Sequence, residues 1–300
     1  MITIRTPEER FADLPEFPYA PRYVMVAGRR VHYVDEGTAG ETLLCLHGEP
    51  SWSYLYRRMM PALTARHRVV AMDWIGFGRS DKLTEVADYS FAMHRETLTG
   101  FIDALNLRDA TLVCQDWGGL LGLAVAAAMP ERFARLVIMN TFLPIGEEPL
   151  GEAFAQWRAF AERVGKKLQV GRLMTRSFRR EESRTPAIRA AYDAPFPADE
   201  YRAGVAAFPL LVPRRPDDPG ADEMRRARAR LAQWHKPALV MFADGDPITR
   251  GADHFFRQLI PGTRAQPEIT IEGAGHFLQE DKGPEIAHYI VDFLERTPRA

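Results

Sequence analysis

The sequence of 300 residues has little cysteine and no long hydrophobic run. Its two cysteines, Cys45 and Cys114, each stand in a short apolar segment, so a disulfide-stabilised framework is excluded and buried, reduced thiols are expected. The most apolar stretch, residues 120–129, is too short to span a bilayer. The first residues contain no apolar segment typical of a secretory signal, from which we expect a cytoplasmic protein.

An excess of either charge is also absent. The 39 basic and 40 acidic residues give a formal net charge of -1, which argues against a nucleic acid or an acidic membrane surface as the partner. The charge is unevenly distributed, because residues 151–230 contain 17 basic and 11 acidic side chains. These basic residues alternate with acids and have few aromatic neighbours, so we interpret them as a solvated helical surface.

Motifs that bind metals or nucleotides are missing as well. The sequence has no His-Glu-x-x-His and no paired-cysteine spacing. The segment Gly76-Phe-Gly-Arg-Ser lacks the third glycine and the lysine of phosphate-binding loops. We therefore expect no metal and no cofactor.

Short apolar runs alternate with longer segments of helical spacing. This pattern is typical of an α/β protein with a mostly parallel sheet that is covered by helices on both faces. Residues 23–26 and 31–34 alternate apolar and polar side chains around a turn and predict an antiparallel hairpin before the parallel part. The apolar runs lie at residues 42–46, 68–72, 111–114, 136–140 and 238–243.

The alternation is interrupted between residues 142 and 224, where no strand pattern occurs. An insertion of helices into the α/β domain explains this interruption most simply. The predicted organisation is a core over residues 1–141 and 225–300 with a helical cap over residues 142–224. Because no coiled-coil pattern and no long exposed apolar stretch are visible, we expect a monomer.

The segment Leu112-Val-Cys-Gln-Asp-Trp-Gly-Gly places Asp116 between a predicted strand and a predicted helix. Small residues stand two positions before it, at Cys114, and two positions after it, at Gly118. This spacing is typical of a nucleophile elbow, although the usual serine is replaced by aspartate. A carboxylate is ionised at neutral pH and attacks without a base. The alternative is that Asp116 is an ordinary helix N-cap.

The order of the downstream motifs favours the catalytic interpretation. Phe242-Ala-Asp-Gly-Asp and Gly273-Ala-Gly-His each follow a predicted strand, which gives the order nucleophile, acid, histidine of α/β hydrolases. His276 is the candidate base, and His47 is its nearest competitor. Asp246 and Asp244 both remain candidates for the acid.

Together these motifs make the sequence resemble the haloalkane dehalogenases, and nearly the whole chain is covered. The resemblance favours Asp246 as the acid, since the family has a subgroup whose acid follows the late strand. The motifs are His47-Gly-Glu-Pro-Ser-Trp, Asp73-Trp-Ile-Gly-Phe-Gly-Arg-Ser-Asp, Cys114-Gln-Asp-Trp-Gly-Gly, Tyr192-Asp-Ala-Pro-Phe-Pro, Ala203-Gly-Val, Phe208-Pro and Gly273-Ala-Gly-His-Phe-Leu-Gln-Glu.

The resemblance implies that Asp116 attacks a carbon that bears a halogen and that a small apolar haloalkane is the substrate. The indole N–H groups of Trp117 and Trp157 would bind the departing halide ion. Some relatives use an asparagine at the position of Glu49, and we expect the ionised side chain of Glu49 only to accept hydrogen bonds. Backbone N–H groups of Glu49 and Trp117 would form the oxyanion hole.

The substrate pocket is expected to include Phe154, Phe208 and Pro209 of the insertion. Two other functions remain open. An epoxide hydrolase would use tyrosines of the insertion, for which Tyr192 and Tyr201 are present. A non-catalytic ligand-binding protein on the same scaffold would have no use for the attacking carboxylate and the base.

Overall fold

The computed structural model describes residues 1–298, and its centre is an eight-stranded mixed sheet. The strands lie in the order β10-β9-β8-β7-β4-β5-β3-β2, and β1 and β6 form a separate two-stranded sheet. The strands are β1 (Thr3–Ile4), β2 (Arg22–Val26), β3 (Arg29–Glu36), β4 (Thr42–Leu46), β5 (Arg68–Met72), β6 (Lys82–Leu83), β7 (Ala110–Gln115), β8 (Phe133–Met139), β9 (Ala238–Ala243) and β10 (Ile269–Ile271).

Ten α-helices are described, and they connect or cover these strands. They are α1 (Met60–Thr64), α2 (Phe91–Ala104), α3 (Trp117–Ala128), α4 (Glu152–Val164), α5 (Val170–Ser177), α6 (Pro186–Asp193), α7 (Ala203–Leu211), α8 (Ala221–Leu231), α9 (Ala252–Leu259) and α10 (Leu278–Arg296), the last with non-helical backbone at Lys282. None of the helices within residues 1–298 is both long and apolar enough to cross a membrane.

The sheet is antiparallel at its beginning and parallel in the rest. β2 and β3 form the predicted hairpin, and β3 pairs antiparallel with β5. From β5 to β10 every neighbouring pair is parallel. All six residues of β7 are buried because both faces of the central strands are covered, which explains their continuous apolar sequence. The predicted fold class is confirmed.

The parallel strands bring their carboxyl ends to one edge of the sheet, and α3 begins there very close to β4. A Cβ atom on Gly118 would lie 2.0 Å from the carbonyl oxygen of Leu46, and one on Gly119 would lie 2.1 Å from Oγ1 of Thr141. Larger side chains at these two positions would therefore displace α3 from the sheet.

The predicted helical insertion lies between β8 and β9 and contains α4 to α8. The helices α4 and α7 pack together, as do α5 and α6, whereas α8 packs against α3 of the core. The predicted boundary at residue 224 therefore falls inside a helix that contacts the core.

Two hydrogen bonds of α6, one of them to a buried ion pair of the core, hold the insertion on the core. The guanidinium of Arg57 donates two hydrogen bonds to the carboxylate of Glu280 in the first turn of α10. The hydroxyl of Tyr192, on α6, donates to the same carboxylate, and Nε1 of Trp52 donates to the carbonyl oxygen of Ala191 at 3.2 Å. All of these contacts are buried, and Tyr192 attaches α6 to α10 whereas Trp52 attaches it to the segment after β4.

Candidate active site

Asp116 occupies the turn between β7 and α3. Its backbone has φ 52° and ψ -124°, a conformation that L-residues rarely adopt and that is tolerated where the surrounding structure enforces it. The carboxylate accepts a hydrogen bond at Oδ1 from the backbone N–H of Glu49 at 2.7 Å. It accepts none from the N–H groups of α3, which excludes the interpretation of Asp116 as an ordinary N-cap.

His276 lies between two carboxylates at the same edge of the sheet. Its Nε2 is 3.5 Å from Oδ2 of Asp116, and its Nδ1 is 3.0 Å from Oδ2 of Asp246. Asp246 also accepts hydrogen bonds from the backbone N–H of Ile248 and the hydroxyl of Thr249, which fix its orientation. The structure thus brings the nucleophile, base and acid candidates into one chain of contacts.

The two competing candidates have other partners. Asp244 accepts a hydrogen bond from the backbone N–H of Gly273 at 2.9 Å and makes no contact with His276. His47 is fully buried, and its Nε2 accepts from the backbone N–H of Trp74. Both residues therefore stabilise loops beside the site.

The two neighbouring carboxylates determine the charge of His276. Burial opposes the imidazolium, but the carboxylates of Asp246 and Asp116 outweigh it and raise the pKa of His276 to about 10. In turn, the charge of His276 lowers the pKa of Asp246 although burial of that carboxyl acts in the opposite direction. At neutral pH the site therefore holds an imidazolium between two carboxylates.

Glu49 differs from the expectation of an ionised side chain. It is only 6% exposed, its Oε1 atom is buried without a hydrogen-bond partner, and no cation pairs with it among the described residues. Burial, together with the nearby charge of Asp116, raises the pKa of Glu49 well above its ordinary value. The charge of His276 acts in the opposite direction. Burial and Asp116 thus favour the neutral carboxyl group of Glu49, which would have a proton to donate, over the ionised form expected from the sequence.

A cavity of about 430 Å³ lies above Asp116, His276 and the indole of Trp117. Its wall is mostly apolar and comes from both the core and the insertion. Phe154, Trp157 and Pro209 line it as expected, but Phe208 does not. The cavity is lined further by Pro50, Leu120, Phe142, Leu173, Phe178, Val212, Ile248 and Phe277.

Phe208 lies behind the cavity wall, which corrects its assignment to the pocket. Its ring packs edge-on against Trp117 at 4.6 Å and against Phe77 at 4.7 Å, and it is fully buried. This packing fixes the plane of the Trp117 indole. The apolar pattern of the insertion could not distinguish a residue of the wall from the residue that supports it.

The two tryptophans proposed from the sequence line the same cavity. Trp117 is the first residue of α3, and Trp157 is on α4 of the insertion. Within residues 1–298 neither Nε1–H has a hydrogen-bond partner. Two unpaired donors in a mostly apolar cavity are suited to an anion, because an anion there requires hydrogen bonds.

Of the two backbone N–H groups predicted to form the oxyanion hole, only that of Glu49 contacts the carboxylate of Asp116 in the described structure. The backbone N–H of Glu49 donates to the carboxylate of Asp116, whereas the N–H of Trp117 makes no hydrogen bond to that carboxylate in the described structure. Both groups nevertheless flank Asp116 closely, one in the turn after β4 and the other at the start of α3.

Three polar residues that support the catalytic loops were not singled out from the sequence. Asn140 donates to the carbonyl oxygens of Gly275 and His276 and accepts from the N–H of Ala243. Gln115 donates to the carbonyl oxygen of His276 at 3.2 Å. Asp281 accepts from the N–H of Gly275 at 2.8 Å. Only their positions next to the catalytic motifs could have indicated these roles.

Neither of the two tyrosines that an epoxide hydrolase would use lines the cavity. The hydroxyl of Tyr192 is engaged with Glu280, and Tyr192 is fully buried. Tyr201 lies outside the cavity wall and is half-buried.

The comparisons with known proteins agree with this geometry. Residues 41–283 match the model of the alpha/beta hydrolase fold family, so the chain is an α/β hydrolase. It is 45% identical to a haloalkane dehalogenase of Psychrobacter cryohalolentis over 306 aligned residues, which cover 100% of both chains. It is 47% identical to a haloalkane dehalogenase of Mycobacterium marinum, with 98% of this chain and 100% of the relative covered.

A solved structure leads to the same family. The tetrameric haloalkane dehalogenase DpaA from Paraglaciecola agarilytica is 43% identical and superimposes with a TM-score of 0.89 over 96% of this chain and 97% of that one. The chain belongs to the haloalkane dehalogenase family.

Proposed function

We propose that this protein hydrolyses the carbon–halogen bond of small apolar haloalkanes through an alkyl ester on Asp116. One arrangement carries this proposal: Asp116, His276 and two tryptophans whose indole N–H groups are unpaired within residues 1–298 line one mostly apolar cavity, and Asp246 contacts His276 from behind. The membership of the haloalkane dehalogenase family supports it.

In the first step a carboxylate oxygen of Asp116 attacks the carbon that bears the halogen. The new C–O bond forms as the carbon–halogen bond breaks, and the electron pair of that bond leaves with the halide ion. The indole N–H groups of Trp117 and Trp157 bind the halide as its charge develops. The hydrogen bond from the Glu49 N–H at 2.7 Å orients the attacking carboxylate.

In the second step water cleaves the ester. The loss of the negative charge at Asp116 favours the neutral form of His276 that this step needs. Esterification removes one of the two carboxylate charges that raise the pKa of His276. The imidazolium then releases its proton to solvent more readily, and neutral Nε2 accepts a proton from water while the hydroxide attacks the carbonyl carbon. The C–O bond of the ester breaks, and the departing alkoxide takes the proton of the added hydroxyl group and leaves as the alcohol. The Asp116 carboxylate is thereby restored beside the imidazolium.

We propose further that the insertion forms a cap over the carboxyl edge of the sheet. The lining contributed by Phe154, Trp157 and Pro209 supports this role. Since α8 packs on the core, we propose that the cap consists of α4 to α7 within residues 142–224. We also propose a monomer in the cytoplasm, and the two free, buried cysteines are compatible with a reducing compartment.

The test is bromide release from 1-bromobutane and 1,2-dibromoethane, with styrene oxide as the control substrate. We expect bromide from both haloalkanes and no turnover of the epoxide. Turnover of styrene oxide without any bromide release would contradict the proposal. The His276→Phe variant should accumulate an alkyl adduct on Asp116 that intact-protein mass spectrometry detects, whereas the Asp116→Asn variant should stay unmodified.

A further inference from the structure

The mouth of the cavity is formed by arginines. Of all the residues that line the cavity, only Arg176, Arg179, Arg184 and Pro247 are exposed to solvent. The other lining residues are buried or half-buried. We take this exposed part of the lining as the mouth of the cavity, so a ligand that enters there meets three guanidinium groups.

These three guanidinium groups are not neutralised by acidic side chains. Within residues 1–298 none of them forms an ion pair. The only carboxyl groups in the cavity wall belong to Asp116 and Glu49, and both are buried. Arginine keeps its charge at any physiological pH and binds carboxylates through two parallel N–H donors.

Some of their hydrogen-bonding capacity is used by the protein, and the rest is free. Arg184 donates to the carbonyl oxygen of Phe178 at 3.1 and 2.6 Å, and Arg179 donates to that of Gly245 at 3.4 Å. Arg176 donates no hydrogen bond in the described structure. Since a guanidinium carries five N–H donors, each of the three retains free donors.

The position of Arg179 is determined by the catalytic loops. Asp281 accepts hydrogen bonds from the backbone N–H groups of Arg179 and Arg180 at Oδ1, and from that of Gly275 at Oδ2. A Cβ atom on Gly245 would lie 3.4 Å from Nε and Nη2 of Arg179. This arginine is thus held beside the two turns that carry Asp246 and His276.

We propose that Arg176, Arg179 and Arg184 form an anion subsite at the mouth, which recognises the carboxylate of haloalkanes that carry a halogen at one end and a carboxylate at the other. The methylene chain would lie along Leu173, Phe178 and Ile248, with the carbon–halogen bond at Asp116. This inference rests on the proposed function, because it assumes that the halogen end reaches Asp116. It also assigns a binding role to part of the basic excess of residues 151–230.

The experiment compares 6-bromohexanoate with 6-bromohexanamide, a neutral substrate of the same length, by bromide release. The wild type should have the higher kcat/KM for the carboxylate. Substitution of all three arginines by glutamine should lower this preference, the ratio of kcat/KM for the carboxylate to kcat/KM for the amide, by about fivefold, since exposed charge pairs contribute modestly. Sodium sulfate, which contains no halide, should reduce the preference in the wild type because salt screens exposed charges.

Arg172→Gln provides the matched control. Arg172 is exposed on α5 like Arg176, but it does not line the cavity, so its loss should leave the preference intact. Arg176→Gln alone should lower the preference, and since Arg176 makes no hydrogen bond this variant should fold normally. The preference should also depend on length, with one optimum among 6-bromohexanoate, 8-bromooctanoate and 10-bromodecanoate compared with their amides.

Three results would overturn the subsite. The first is an unchanged preference in the triple variant. The second is a preference that is the same at every chain length, which would indicate a general field instead of a site. The third is a change in inhibition by bromide without a change in substrate preference, which would assign the arginines to halide exit. Absence of bromide from either substrate would instead contradict the proposed function.

Discussion

At the scale of single residues, the charge of each catalytic group depends on its neighbours. His276 and Glu49 face the same carboxylate, and Asp116 raises the pKa of both. The consequence is opposite in the two cases, because a higher pKa favours the charged form of His276 and the neutral form of Glu49. In the mechanism that we propose, alkylation of Asp116 would remove this shared influence within each turnover.

Replacement of Asp116 by asparagine should lower the pKa of His276. Asparagine keeps the size of the side chain but removes one of the two charges that raise this pKa to about 10. The measurement is a titration of the His276 imidazole by NMR. Asp244→Asn is the control, since Asp244 lies two residues from Asp246 and does not contact His276. An equal pKa of His276 in the wild type and in Asp116→Asn would contradict the proposed role of the ester.

Replacement of Glu49 by glutamine should stabilise the protein in alkaline solution. The folded-state pKa of Glu49 is raised, so the unfolded chain loses this proton first and folding loses stability as the pH rises above the ordinary carboxyl range. Glutamine does not ionise, so the increase in Tm should be larger at about pH 8 than at about pH 5. An increase that is equal at both pH values would contradict a neutral Glu49.

The activity of the same variant provides a second measurement. Glutamine also presents N–H donors, so we expect bromide release at neutral pH to stay within about threefold of the wild type. Glu49→Leu removes the donor and is the comparison. Loss of activity in Glu49→Gln equal to that in Glu49→Leu would show that the carboxyl acts in its ionised form.

The sequence was sufficient to predict Asp116, Trp117 and His276 at the cavity, because small residues, strand ends and motif order restrict where they lie. The motifs left Asp244 and Asp246 both open, and the family resemblance favoured Asp246, which contacts His276. The charge of Glu49 could not be predicted in this way. It depends on burial and on the distance to Asp116, and these depend on how β4 and β7 pair in the sheet. The predicted pocket role of Phe208 was wrong for the same reason, since packing against Trp117 determines it.

At the scale of elements, the contact between the insertion and α10 links the insertion to the loop of His276. Glu280 stands in the first turn of α10, and the next residue, Asp281, accepts from the N–H of Gly275. The same turn therefore holds α6 through Tyr192 and the His276 loop through Asp281. Distortion of this turn would be transmitted to both the insertion and the loop of His276.

Removal of Glu280 should therefore strongly destabilise the protein. Glu280→Ala leaves the fully buried Arg57 without its main partner, and breaking a buried ion pair in this way costs about 3–5 kcal/mol. Tyr192→Phe removes one hydrogen bond to a charged group and should cost about 2 kcal/mol. Both are measured by urea unfolding. The control is Tyr201→Phe, whose hydroxyl makes no hydrogen bond in the described residues, and an equal loss in the two tyrosine variants would contradict this role.

The order of strands and helices was largely predictable because the buried strands are continuous apolar runs. The predicted bounds of β4 and β9, residues 42–46 and 238–243, agree with the structure. The end of the cap was not predictable. The sequence of α8 is rich in arginine like the cap, and only its packing against α3 shows that it covers the core.

At the scale of the whole molecule, the net charge of -1 conceals an uneven distribution of charge that is related to the reaction. The acidic groups at the base of the cavity are buried, and the arginines at its mouth are exposed. A neutral haloalkane is hardly affected by this arrangement, whereas a halide or carboxylate experiences it. Where basic residues of the insertion border the cavity, they therefore differ from an ordinary solvated surface.

The outer surfaces of the described chain favour the monomer that we propose. The large apolar side chains with marked exposure are Met1, Ile2, Met25 and Phe160, and the first three lie within the first 25 residues, far in sequence from Phe160. Both edges of the sheet are poorly suited to strand pairing, since β10 has only three residues and β2 exposes Arg22. A stable interface would require roughly 1,200 Å² or more of buried surface, which scattered residues of this kind do not provide.

Light scattering coupled to size exclusion should therefore give a mass near 34.0 kDa over a wide range of concentration. The structural relative DpaA is described as tetrameric, so a tetramer is the alternative that this measurement distinguishes from the monomer. A mass four times that of the chain would contradict the monomer and would place part of the exposed surface in an interface. Charged substitutions at Met25 and Phe160 would then show which of the two surfaces is used, because a buried charge without a partner would dissociate the assembly.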